Sequence, residues 1–246
     1  MNLDGKTAIV TGAASGFGAG IARSFAAEGA KVMVVDLDID AAQAVATDIA
    51  GIAHRADVSN GDQVSDMIET AIARMDHVDI LVNNAGVTHL PAPMEEITED
   101  DFDRVFAVNC KSVYLTARAL VPHLKHRQTG AILNIASTAG VSPRPNLNWY
   151  NASKGWMNTA TRTMAVELAP SGIRVNALNP VAGETPLLKS FMGEDTPEMR
   201  SKFLSTIPLG RFSTPQDLGS AAAFLCSDAA GMITGVCMEV DGGRCI

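Results

Sequence analysis

The sequence predicts an open, doubly wound α/β sheet with parallel strands in the middle layer and helices on both faces. Three observations predict it. Short β-branched segments, several almost continuously apolar, recur along the chain, as in strands covered on both sides. Longer stretches with apolar residues at three- and four-residue spacing alternate with them, so each connection reads as a right-handed βαβ crossover. A glycine-rich turn follows the first strand, and seven strands are found rather than the eight of a (β/α)8 barrel, the rival architecture.

The first strand is KTAIVT (6–11), and it runs straight into TGAASGFG. A helix follows over about 17–28, with Phe17, Ile21 and Phe25 four residues apart on one face. KVMVVD (31–36) and IAHRADV (52–58) are the next strands, each followed by a helical pattern, at 38–50 and 60–75. DILVNNA (79–85) leads into one long helical region, 98–126, and GAILNIAS (130–137) into a helix over 148–170. After IRVNALNP (173–180), residues 184–214 carry no strand and read as an insertion over a site; a helix at 215–226 and VCMEVDGG (236–243) complete the chain. No linker or shift of composition divides it, so residues 1–246 are expected to form a single domain.

Composition is that of a globular protein, 47% hydrophobic and 19% charged. The formal net charge of −8, with no Lys/Arg block, makes nucleic acid and anionic membranes poor partners. The N-terminus has no basic region before a long apolar stretch, and no run of eighteen apolar residues occurs, so neither a signal peptide nor a membrane span is expected. Cys110, Cys226, Cys237 and Cys245 lack metal-ligand spacing, so no metal is expected and the thiols read as reduced and cytoplasmic. Cys245, one residue from the end, is either a reactive thiol or part of a packed tail.

The turn TGAASGFG places glycines at 12, 16 and 18 between a strand and an amphipathic helix. Glycines there permit a tight turn and let backbone N–H groups approach a pyrophosphate at the helix N-terminus. Gly12, Ser15, Gly16, Phe17 and Gly18 are therefore candidate dinucleotide contacts, a purely structural turn being the alternative. The second strand ends in Asp36, whose carboxylate suits the hydroxyls of an adenosine ribose and repels a 2′-phosphate. No Arg or Lys follows it, so NAD is expected rather than NADP; the competing reading makes Asp36 the cap of the next helix. Asp57 and Val58, ending the third strand, lie at the same sheet edge and suit the adenine. NNAG (83–86), with Asn84, Ala85 and Gly86, lets a backbone turn pass close to the cofactor.

Ligands of such sheets sit beyond the carboxyl ends of the strands. The fifth strand ends there in Ser137, and Tyr150 and Lys154 follow one helical turn apart, on one face. A tyrosine with a pKa of about 10 needs roughly 3–4 kcal/mol to work near neutrality. An ammonium about 4 Å away supplies on the order of 4 kcal/mol at an effective dielectric near 20. A Tyr-x-x-x-Lys pair alone occurs by chance on many amphipathic helices; the serine and the nucleotide turn are what give this one meaning.

With TGAASGFG, Asp57, NNAG, Asn109, Ser137, Tyr150-Asn-Ala-Ser-Lys154 and NPVAGET in order, nearly the whole chain resembles the short-chain dehydrogenase/reductase family. The resemblance implies a Rossmann-like seven-stranded domain, usually in a homotetramer, that oxidises alcohols or reduces ketones with a nicotinamide cofactor. It implies that Ser137 hydrogen-bonds the substrate oxygen, Tyr150 exchanges its proton, and Lys154 lowers the tyrosine pKa and binds the nicotinamide ribose. It gives Asn109 a relay water, and Thr185 the nicotinamide carboxamide. The family's Pro-Gly after the sixth strand is altered: Pro180 is followed by Val181 and the glycine comes at Gly183, so the backbone near the nicotinamide is expected to differ.

The substrate is expected between THLPAPM (88–94), TAGVSPRPNLNW (138–149) and the insertion, with Thr88, His89, Arg144, Trp149, Leu187 and Leu188 as candidate contacts. Leu187, Leu188, Phe191 and Met192 suggest a short lid helix with an apolar underside, or packing on the body or a neighbouring subunit. Arg144 either reads an anionic group or is simply solvated, and His89 is equally ambiguous. Trp156 is expected in the core or an interface. Three functions remain: an NAD-dependent dehydrogenase of a secondary alcohol, sugar or polyol; a 3-oxoacyl-carrier-protein reductase, disfavoured by Asp36; and a cofactor-binding protein without turnover. The tail Cys245-Ile246 is expected between protomers of the tetramer.

Overall fold

The computed structural model describes residues 2–193 and 195–246. Seven strands form one parallel sheet: β1 (Thr7–Thr11), β2 (Lys31–Asp36), β3 (Ile52–Arg55), β4 (Ile80–Asn83), β5 (Gly130–Ile135), β6 (Ile173–Pro180) and β7 (Cys237–Val240). Their order is β3-β2-β1-β4-β5-β6-β7. The chain reverses direction across the sheet between β1 and β4, which opens the crevice where the two halves meet. Thr11 ties this switch point together: its Oγ accepts from the amides of Asn84 and Ala85 just past β4.

Period-two alternation assigns the strand side chains to two apolar layers. Val10, Val34, Val82 and Leu133 face the layer covered by α1 (Gly16–Ala27), α2 (Ile39–Asp48) and α9 (Pro215–Cys226). Ile9, Met33, Leu81 and Ile132 face α3 (Gly61–Met75), α5 (Ser112–Arg127) and α6 (Asn148–Leu168). α1 and α9 meet through small residues: a Cβ on Gly219 would strike Ser24, and one on Gly20 would lie 2.5 Å from Pro215.

Two boundaries differ from expectation. β3 stops at Arg55, and Ala56–Val58 turn over the sheet edge instead of continuing the strand. The long helical region is broken: α4 (Glu99–Phe106) and α5 are joined by a π-helical turn, Ala107–Lys111. The wider turn carries Asn109 inward, where Nδ2 donates to Val87 O and Ser153 Oγ, and Oδ1 accepts from the Val87 amide. The insertion holds α7 (Leu188–Met192) and α8 (Pro197–Leu204), with a small core of Val181, Leu188, Met192, Phe203, Ile207 and Phe212. Among the described residues no helix is long and apolar enough to cross a membrane.

Candidate active site

A cleft of about 470 Å³ runs along the carboxyl ends of the strands, from Asp36 to Phe203. In its first half Gly12 (φ +60°) and Gly16 (φ +53°) turn the chain from β1 into α1. A Cβ at Gly12 would come within 2.8 Å of Ala85 Cα, so only glycine lets the two turns touch. Ser15 caps α1 by position, but its hydroxyl makes no cap bond, and the first turn holds no acidic residue. By contrast α2, α3, α4, α8 and α9 all have side-chain caps. The α1 N-terminus thus presents amides without a protein side-chain cap, beside Ser15, Gly16 and Phe17 in the cleft wall.

Asp36 lies at the end of β2 in the same wall, where Oδ2 accepts from the Ala14 amide at 3.0 Å. It does not cap the next helix; Asp38 does, accepting from Ala41 N. Asp57 and Val58 also line the cleft, and Asp57 Oδ1 accepts from Ser59 N and Oγ. Asn84 Nδ2 donates to Thr11 O and Gly12 O, fixing the turn of Asn84, Ala85 and Gly86 against the glycine turn. An uncapped helix N-terminus, glycine approach and a carboxylate one strand away together fit a dinucleotide.

In the second half Ser137, Tyr150 and Lys154 line the cleft together. The Ser137 amide donates to Asn179 Oδ1, and its Oγ accepts from the Ala139 amide and bonds the Tyr150 hydroxyl. Lys154 Nζ donates to Ile135 O at 2.8 Å and lies 5.9 Å from the centre of the Tyr150 ring. Burial, partly opposed by the Ser137 hydrogen bond, pushes the Tyr150 phenol up to about 12. Burial also brings the Lys154 ammonium down to about 8. In the protein alone, then, burial holds the phenol high, and it is the Ser137 hydrogen bond rather than Lys154 that opposes it.

Residues 12–244 match the family model described as Enoyl-(Acyl carrier protein) reductase. 4-Formylbenzenesulfonate dehydrogenase TsaC1/TsaC2 of Comamonas testosteroni is 50% identical over 250 residues, 99% of each chain. The chain belongs to the short-chain dehydrogenase/reductase family. Another member, D-threitol dehydrogenase of Mycolicibacterium smegmatis, is 38% identical over 100% of this chain and 95% of its own. Among solved members of the family, 3-ketoacyl-(acyl-carrier-protein) reductase from Brucella melitensis, complexed with NADH, superposes with a TM-score of 0.96. It is 51% identical and covers 100% of both chains.

The remaining family positions divide into those in the cleft and those behind it. Pro180, Gly183 and Thr185 line it. Gly183 pairs with Ser213 in a parallel bridge, and a Cβ there would strike the Phe17 ring, so the displaced glycine still serves a close approach. Gly18 is not in the wall: a Cβ would run into Gly12 O and Asn84 Nδ2, so its role is packing. Asn109 is wholly buried behind the cleft, its amide committed to Val87 and Ser153.

At the substrate end, Arg144 and Leu187 line the cleft, whereas Thr88, His89, Trp149 and Leu188 do not. Thr88 and His89 are buried; Thr88 Oγ donates to His89 O, and His89 Nδ1 bonds Leu90 O. Trp149 precedes Tyr150 on α6, and successive residues of a helix diverge by about 100°. It therefore turns to α4, donating from Nε1 to Met94 O and meeting Phe102 edge-on. Leu188 belongs to the lid's own core, while Phe191 faces inward, 5.1 Å from the Tyr150 ring. Trp156 lies outside the core, 40% exposed. Cys245 is half-buried, its thiol pushed up to about 11 by burial and by Asp241, which disfavours the thiolate. Sequence reasoning missed Asn179 and Phe203; Phe203 carried a signal, a four-residue spacing with Met199 and Ile207. Among the described residues no His, Cys, Asp or Glu group is arranged for a metal.

Proposed function

We propose that the protein is an NAD-dependent dehydrogenase that interconverts a secondary alcohol and its ketone, on a sugar, polyol, cyclic or hydroxy-acid substrate. The observation that carries this reading is the convergence of Ser137, Tyr150 and Lys154 on one wall of a cleft whose other end is a dinucleotide cradle. Gly12, Ser15, Gly16 and Phe17 hold the pyrophosphate, Asp36 the adenosine ribose, and Asp57 and Val58 the adenine. Gly86, Pro180, Gly183 and Thr185 flank the nicotinamide, which supplies the acceptor or donor of the hydride. Ser137 Oγ hydrogen-bonds the substrate oxygen, and Tyr150 Oη exchanges a proton with that oxygen. Lys154, whose ammonium is held by Ile135 O, binds the nicotinamide ribose and offsets charge on the phenolate. Asn109 acts from behind by fixing Val87 and Ser153.

Asp36 supports NAD, because its carboxylate already faces the cleft and a 2′-phosphate would bring up to two more negative charges beside it. The four free thiols support a cytoplasmic location, and exposed Tyr114, Trp156 and Val166 on α5 and α6 support a homotetramer built on that face. The chain works as one nucleotide-binding domain with residues 184–214 as its lid.

Two measurements test the reading. A panel of sugars, cyclic alcohols and hydroxy acids is assayed for NAD reduction, and Tyr150→Phe is expected to lower turnover by about 10²–10⁴-fold while NADH still binds. Near-normal turnover in the variant would overturn the proton-transfer assignment. The second reading, a 3-oxoacyl-carrier-protein reductase, is favoured by the likeness to the Brucella melitensis enzyme. A preference for NADP above tenfold in kcat/KM would overturn the Asp36 argument that disfavours it.

A further inference from the structure

Arg144 is in an unusual position for a cation. Arg104, Arg127, Arg200 and Arg211 each pair with an aspartate, and Arg174 donates to three backbone carbonyls. Arg144 lines the cleft, and among the described residues no carboxylate or carbonyl accepts from its guanidinium. Its protein contact is apolar: the guanidinium carbon lies 4.2 Å from the centre of the Phe203 ring on α8. Burial lowers its pKa, Arg244 nearby lowers it further, and Cys245 opposes them only in part, so among the described residues no carboxylate offsets this charge.

The position is nonetheless firmly built. Asn151, next to Tyr150 on α6, donates from Nδ2 to Arg144 O at 2.8 Å. Arg244 Nη1 donates to Ser142 Oγ at 3.2 Å, holding the same loop from the C-terminal tail. Among the described residues the cleft's carboxylates are Asp36 and Asp57, which lie beyond β2 and β3, on the other side of the switch point. Leu147, Leu187 and Phe191 give the same cleft apolar lining, with Phe191 5.1 Å from the Tyr150 ring. A guanidinium fork that stacks on Phe203 in an apolar-lined cleft, and that has no acceptor among the described residues, is a receptor for a planar or tetrahedral oxyanion.

We propose that Arg144 is a specificity-determining residue that binds a carboxylate or sulfonate on the substrate, at the end of an apolar body whose other end carries the alcohol or ketone. This deepens the dehydrogenase reading and rests on its placement of the reacting groups.

Unreactive probes test the assignment apart from turnover. Toluene-4-sulfonate and 4-methylbenzoate, with their neutral counterparts 4-methylbenzenesulfonamide and 4-methylbenzamide, are titrated calorimetrically into the NADH-loaded protein. At least one anion is expected to bind tenfold or more tightly than its neutral counterpart, and whichever does so tells sulfonate from carboxylate. Arg144→Met, which keeps an apolar contact with Phe203, is expected to bring the ratio within twofold, and Arg144→Lys to keep part of it. Equal affinities in the wild type, a preference that survives Arg144→Met, or no binding of either anion at millimolar concentration would each overturn the assignment. An anion preference in a protein that oxidises no alcohol would leave Arg144 in place and sink the dehydrogenase reading. Turnover of neutral alcohols without charge preference would do the reverse.

Discussion

Lys154 Nζ donates a 2.8 Å hydrogen bond to the carbonyl oxygen of Ile135, at the end of the strand that leads into Ser137. This bond joins the helix carrying Tyr150 to the sheet edge carrying Ser137, so the three polar groups keep their places without a ligand. It also keeps a cation in a buried site, where desolvation brings its pKa down to about 8.

That cation has a stability cost whose sign follows from proton linkage. The unfolded lysine titrates near 10.4 and the folded one near 8, so between these values the unfolded chain holds more protons. Stability from this group therefore rises with pH across that window, by roughly 3 kcal/mol, and the full penalty applies below pH 8. Lys154→Met should melt higher than the wild type at pH 7, less the cost of leaving Ile135 O unpaired, and lose that advantage by pH 10. Buried thiols titrate in both proteins and largely cancel in the difference. Melting curves at pH 7 and pH 10 check it; a gap that stays constant or widens with pH would show that Lys154 is not held as a destabilised cation.

A second expectation concerns the polar ladder under the site. Thr116 Oγ donates to Asn83 Oδ1, Asn83 Nδ2 to Asn134 Oδ1, and Asn134 Nδ2 to Thr161 Oγ, linking α5, β4, β5 and α6. Asn83 and Asn134 are register partners, so their amides meet across neighbouring strands on one face. Asn134→Leu strands a buried donor on Asn83 and should cost about 1–3 kcal/mol in urea unfolding. The double variant with Asn83→Leu should cost clearly less than the two singles summed, because the orphaned donor goes too. Additive losses would mean that the asparagines act independently.

The features legible in the sequence are those encoded by local pattern. The seven strands, the glycine turn, Asp36 and the Tyr150–Lys154 spacing depend on periods of two and 3.6 and on residue types with one strong conformational use. What escaped depends on distant partners. The π-helical turn at Asn109 is set by Val87 and Ser153, which no periodicity in 98–126 announces. β3 ends early because the Asp57 amide is taken by Gln63 Oε1 rather than by a neighbouring strand. Trp149 belongs to the expected substrate segment 138–149, yet as the neighbour of Tyr150 on a helix its side chain diverges from the cleft. Phe203 reaches the cleft from far along the chain because the lid folds over it.

The packing of α1 on α9 carries the last expectation. By helix propensity alone, Gly20→Ala would stabilise α1 by about 1 kcal/mol. The added methyl, however, would sit 2.5 Å from both Cβ and O of Pro215, the first residue of α9. Neither helix yields easily there: α9 is held by the reciprocal Thr214–Asp217 cap, and Ser213 beside it is bridged to Gly183. Overpacking of this kind costs about 1–3 kcal/mol, or on the order of 5 °C in melting temperature for a chain of this size. The strain should also reach Gly183 and Phe17, which touch in the cleft wall, and weaken NADH binding several-fold. Ser220→Ala, on the exposed side of α9, is the control and should change neither quantity. A Gly20→Ala protein that melts at or above the wild-type temperature would show that propensity wins and that α9 is free to move, which its cap and bridge argue against.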